Sequence, residues 1–171
     1  MFATIVQYVL FAAFPLAMAY AAASDLLTMT ISNKLALALA LAFAVLAPVA
    51  GLTWEAVGLH VAAGAAVLAA GFLLFTLGWI GGGDAKLAAA AGLWIGWNDL
   101  VEYLSLAAIF GGVLTVLIIL FRRSVLPAFA IRVPWVQRLH DEGAGVPYGV
   151  ALAAAGLAIY PHTVWLRMAA G

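Results

Sequence analysis

The hydrophobicity of this chain restricts it to one kind of solvent. Six apolar stretches, residues 2–23, 33–50, 57–80, 85–97, 100–121 and 146–168, follow one another with short breaks between most of them. A bilayer-spanning helix needs roughly 20 mostly apolar residues, and all but the fourth stretch approach or exceed that length. Hydrophobic residues make up 68% of the 171 and charged residues only 8%. A soluble domain is nearer half apolar and a quarter charged, so a water-soluble core cannot hide this much apolar surface. The expected fold is all-α, a polytopic membrane helix bundle of about six transmembrane helices, forming a single domain over residues 1–171 within a lipid bilayer.

The breaks carry turn chemistry. Ser24-Asp25 and Ser32-Asn33 punctuate the first, Pro48 and Gly51 the second, Gly81-Gly82-Gly83 the third, and Asn98-Asp99 the fourth. The longest polar stretch, 122–145, holds four arginines, Asp141, Glu142, Pro127 and Pro134. Its apolar residues, Val125, Leu126, Phe129, Ile131, Val133, Trp135, Val136 and Leu139, suggest a segment lying on the membrane surface. Trp54, Trp79, Trp94, Trp97 and Tyr160 fall near the ends of the apolar stretches and read as anchors at the membrane–water interface. No basic stretch precedes the first apolar run, so that run is expected to stay as a helix rather than be removed as a signal.

Charge sets the orientation. Lys34, Lys86, Arg122, Arg123, Arg132 and Arg138 lie in or beside the breaks after the first, third and fifth stretches, and only Arg167 lies on the other side. Positive loops stay in the cytoplasm, which places both termini outside and both Asp25 and Asp84 on the cytoplasmic face.

Several chemistries are excluded. The formal net charge is zero, so charge implies no nucleic-acid partner. There is no cysteine, which removes disulfides, thiolate metal sites and cysteine nucleophiles. His60, His140 and His162 are scattered and form no H-E-x-x-H, so no metal and no cofactor is expected; His60, in an apolar stretch, reads as a core histidine. Ser105 has no lysine or histidine near it and no G-x-S-x-G around it.

Seven acidic residues remain to be placed. Glu55, Asp99 and Glu102 fall at the outer ends of helices, and Asp141 and Glu142 in the long polar stretch. Asp25 and Asp84 differ, because each sits at the cytoplasmic end of an apolar helix among apolar neighbours, where an ionisable group is costly and a functional candidate. A plainer role is open to both: Asp84, after three glycines and before an alanine-rich run, suits a helix cap, and Asp25 suits a cap or a solvated loop. The chemical reason for a pair is specific. Two close carboxylates sharing one proton can hydrolyse a peptide bond, the ionised one drawing a proton from water and the neutral one donating to the carbonyl. A glycine-rich turn beside Asp84 would let backbone approach a substrate closely.

Gly81-Gly82-Gly83-Asp84-Ala85-Lys86-Leu87 resembles the G-x-G-D-x-K-L signature of prepilin peptidases (type IV leader peptidases), the bacterial branch of the GxGD aspartyl proteases. The stretch from Asp25 to Asn33 resembles that family's D-x-x-x-x-x-I-P-N segment, with Ser32 in place of proline. Pro147-Tyr148-Gly149 resembles its P-[FY]-G motif, and the resemblance runs from about Asp25 to Gly156. It implies catalytic aspartates at Asp25 and Asp84, with Gly81, Gly83, Lys86, Asn33, Pro147 and Gly149 in substrate-binding or structural roles. It further implies a prepilin substrate cut between a short basic leader and a hydrophobic helix, at the cytoplasmic face of the bacterial inner membrane. The absence of cysteine and of a long insert between the first two helices is similar to the short peptidases of Flp (tight-adherence) pili, and puts N-methylation of the product in doubt. Lys86 either pairs with an acid near the dyad or substrate, or snorkels to the interface. A bifunctional peptidase and N-methyltransferase is one alternative. Another is a non-enzymatic transporter subunit or pilus-assembly scaffold, which would show polar groups or broken helices near the bilayer midplane, of which the short fourth stretch is the one sign.

Overall fold

The computed structural model describes residues 2–127 and 130–170, and among them the regular structure is entirely helical. Five longer helices come first: α1 (Phe2–Thr28), α2 (Asn33–Val49), α3 (Trp54–Thr76), α4 (Gly82–Ile95) and α5 (Leu100–Arg122). A short α6 (Pro134–His140), then α7 (Tyr148–Ile159) and α8 (Val164–Ala170), complete the chain. Three helices are long and apolar enough to cross a membrane: α1 through Phe11–Thr28, α3 and α5. The apolar α2 is slightly shorter.

The elements differ from the sequence expectation at four places. The first helix does not stop at residue 23 but runs on through Ser24-Asp25 to Thr28. Its last turn is closed by side chains: Thr28 Oγ1 donates to the Ser24 carbonyl (2.7 Å) and Ser24 Oγ to the Thr30 carbonyl (2.9 Å). Met29 then adopts φ 54°, and its N–H closes on the Asp25 carbonyl at 2.8 Å. This left-handed stop, a place usually taken by glycine, turns the chain into the extended residues 30–32. The third helix ends at Thr76 instead of residue 80, because Gly78 at φ 74° closes its last turn. The glycine triplet is only in part a break: Gly81 is the N-cap of α4, and Gly82 and Gly83 are its first two residues. The last stretch is not one helix. Pro161 lacks the N–H that would continue α7 and its ring crowds the preceding turn, so a 3-10 turn (Tyr160–His162) separates α7 from α8.

The helices pack around α4, which is short and rich in small residues. Both α2 and α3 lie on it, α7 packs against α1, α4 and α5, and α8 returns to α1. The core is aromatic toward the end of α4: Phe14 stacks on Tyr160 with centroids 5.0 Å apart, and Trp94 meets Trp165 at 4.7 Å. The indole N–H of Trp94 donates to the Leu39 carbonyl (2.9 Å) and that of Trp165 to the Trp94 carbonyl. Trp94 and Tyr160 are therefore core residues and not the interface anchors expected of them; their polar tips lie among other helices instead of at a surface. Trp54, Trp79 and Trp97 are exposed, as anchors must be. His60 is buried against Phe43 and Trp165, with Nδ1 2.8 Å from the Leu93 carbonyl, a core histidine as expected.

The polar stretch is tied down by arginines. Arg122 donates from Nε to the carbonyl of Leu139 (2.9 Å) and from an Nη to those of Ala144 (2.7 Å) and Gly145 (3.0 Å). Arg138 donates to the Leu27 carbonyl at the end of α1 (2.6 Å). Of the apolar residues expected to face a membrane surface here, Leu139 is buried in protein; Phe129 lies outside the described residues. These contacts gather Arg122, Arg138, Lys86 and the ends of α1 and α4 at one end of the bundle, while His60, Asp99 and Arg167 line a cavity at the other.

Candidate active site

Asp25 lies in the last turn of α1 and is 5% exposed. Its Oδ2 accepts a hydrogen bond from the backbone N–H of Gly149, in the first turn of α7, at 2.8 Å. Residue 149 has to be glycine for this contact. A Cβ there would sit 2.8 Å from the same carboxylate oxygen and 2.6 Å from Cδ1 of Ile31. Pro147, the fully buried N-cap residue of α7, fixes the entry of that helix. Tyr148 anchors it from the other side, its hydroxyl donating to the Ala107 carbonyl of α5 (3.1 Å) while its ring fills the notch left by Gly111.

Asp84 is the third residue of α4, not its cap. Its carboxylate folds back toward Gly81, the N-cap residue. A Cβ on Gly81 would lie 2.8 Å from Asp84 Oδ2, and one on Gly83 would lie 3.2 Å from Cβ of Ile31. The glycines therefore let the turn close on the carboxylate and on the residues that follow α1. Neither aspartate is a solvated loop residue.

The two acids meet in one cavity of about 300 Å³, lined by Asp25, Met29, Thr30, Ile31, Gly81, Gly82, Gly83 and Asp84. No metal-holding group of His, Asp and Glu occurs among the described residues. The arrangement offers two carboxylates beside a glycine turn in one cavity.

Lys86 does not reach the acids. Its Nζ donates to Oδ1 of Asn33 at 2.8 Å, so two residues picked out separately in the sequence form one bridge from α4 to the start of α2. Asp25, Asp84, Gly81, Gly83 and Gly149 are thus drawn together, Pro147 supports them, and Lys86 with Asn33 closes the flank. Sequence reasoning missed Met29, Thr30 and Ile31 as cavity walls, and Gly111 as the seat of Tyr148. Nothing in the run of residues after Asp25 marks the left-handed Met29, and Gly111 sits unmarked in an apolar helix.

No curated protein and no solved structure matches the chain. The model of the type IV leader peptidase family matches residues 12–116, a span that includes both aspartates and the glycine turn and covers over half of the 171 residues. With three helices of membrane-spanning length and this match, the chain belongs to the type IV leader peptidase family and is a membrane peptidase of the prepilin-processing type.

Proposed function

We propose that this protein is an aspartic endopeptidase that removes the leader of a type IV, Flp-like prepilin at the cytoplasmic face of the bacterial inner membrane. The observation that carries the reading is the shared cavity: Asp25 and Asp84, 59 positions apart in the chain, face one space whose other walls are Met29, Thr30, Ile31 and three glycines. One carboxylate, ionised, takes a proton from a water that attacks the scissile carbonyl carbon. The other, protonated, donates to the carbonyl oxygen. The tetrahedral intermediate collapses with cleavage of the C–N bond, and the leaving amine takes a proton from the dyad. The Gly149 N–H holds the Asp25 carboxylate in place for this exchange.

The topology follows from the charge split. We place the end holding Lys86, Arg122 and Arg138 in the cytoplasm and both termini outside, with six crossings. The fourth and sixth crossings use helices of 14 and 12 residues. At 1.5 Å per residue these are about 21 and 18 Å long, shorter than the hydrocarbon core of about 30 Å, so Asp84 on α4 sits inside the leaflet edge instead of out in water.

The test is cleavage of a purified prepilin by the purified protein in detergent, followed by gel shift. Asp25→Asn and Asp84→Asn should each lower the rate by about 10³-fold or more with helix content and elution volume unchanged. A full rate in either variant removes that residue from the mechanism. The wild-type rate should fall at both acid and alkaline pH, since the dyad works with one proton, neither none nor two.

A further inference from the structure

A second cavity, of about 330 Å³, lies between α2 and α3 with α4 as its floor. Ala36 and Ala40 of α2 form one wall, Val61, Ala65 and Leu68 of α3 the other, and Lys86, Ala89, Ala90 and Leu93 the base. It is almost wholly apolar and open along its length. Both α2 and α3 pack on α4 yet leave this slot between themselves. We propose that the slot receives the apolar helix of the substrate and delivers its end to the dyad; this rests on the peptidase reading above.

Three observations favour a helix as the occupant. The slot adjoins the catalytic cavity. Lys86 lines the slot two residues from Asp84 of the catalytic cavity, and Asn33, which it bonds, lies two residues from Ile31 of that cavity and three from Ala36 of the slot. The slot is also the open flank of α4, whose other faces are covered by α2, α3, α5 and α7, so a membrane-embedded segment that must end beside Asp84 has this lateral approach. Finally, Ala36, Ala40, Ala65, Ala89 and Ala90 leave room for another backbone to come close, which a helix exploits and a lipid tail does not need. From Lys86 to Leu93 the floor extends about 10 Å at 1.5 Å per residue, so two turns of a guest helix would be gripped.

The experiment fills the slot and asks what sits in it. Ala40→Phe and Ala65→Phe should raise KM for prepilin about tenfold while kcat stays within about twofold, because only binding is lost. Leu41→Phe, on the exposed outer side of α2, should change neither. Independently of activity, a photoreactive benzoylphenylalanine replaces Leu68 in the Asp84→Asn background, in liposomes with prepilin. It should crosslink to the prepilin's apolar segment, whereas the same probe at Leu41 should not. Unchanged KM in both slot variants alongside normal wild-type cleavage, or crosslinks from Leu68 only to lipid, or equal prepilin crosslinks from both sites, would overturn the slot proposal and leave the dyad standing. Failure of the wild type to cut any prepilin would strike the peptidase reading instead, and the crosslinks would still report on the slot.

Discussion

Gly149 is the residue on which the geometry of Asp25 turns. Its N–H is the donor to the carboxylate, and its missing side chain is the space that carboxylate and Ile31 occupy. Gly149→Ala should therefore move Asp25 by a fraction of an ångström to an ångström and lower kcat by about 10²-fold, since misplacement on that scale costs such a factor. Steady-state kinetics against prepilin would read it; a rate within twofold of wild type would mean the contact is dispensable. Lys86 behaves differently. Its bond to Asn33 is exposed, so Lys86→Met should cost no more than about 1 kcal/mol of stability, seen as a small drop in Tm in detergent. At this scale much was legible. A carboxylate at the edge of an apolar run is conspicuous in any sequence, and the glycines around Asp84 are conspicuous beside it. The placement of Asp25 inside α1 was not legible, because Ser24 and Asp25 look like a loop until Thr28 and Met29 are seen to close the turn beyond them.

Among the elements, α7 carries more than its 12 residues suggest. It is seated by Tyr148 against α5, with the phenol on the Ala107 carbonyl and the ring in the notch of Gly111. A methyl group at 111 would overlap that ring. Gly111→Ala should cost about 1–3 kcal/mol through overpacking, and should also lower activity, because α7 brings Gly149 to Asp25. The coupling can be measured: the activity loss from Gly111→Ala should largely disappear in a Tyr148→Ala background, where no ring remains to be displaced. Additive losses would show that the notch acts by another route. Hydropathy located this helix but could not end it. An apolar window reads through Pro161, and only the backbone donor that proline lacks divides the stretch into α7, a tight turn and α8. The same blindness affects Gly78, whose positive φ ends α3 while its neighbours still read as membrane residues.

For the molecule as a whole, stability is concentrated where Phe14, Phe43, Trp94, Tyr160 and Trp165 bring five separate elements together. Trp165, near the end of the chain, is fully buried there. Trp165→Ala should destabilise the protein by about 3–5 kcal/mol, the usual cost of emptying so large a site, and thermal unfolding in detergent would show it. The membrane class and the six apolar stretches were readable because lipid imposes length and composition on every crossing. The inward turn of Trp94 and Tyr160 was not, because an aromatic ring near a helix end satisfies the interface and the core equally well until its neighbours are known. The stretch matched by the family model ends at residue 116, ahead of α7. Both acids lie within it, yet the donor to Asp25 lies beyond it. The proposed catalytic site is thus divided between two halves of the polypeptide joined by the stretch after α5. Cut there and expressed as two fragments, the protein should be inert in either piece alone and regain cleavage when both are made in the same cell, with Arg122 and Arg138 helping the halves find each other.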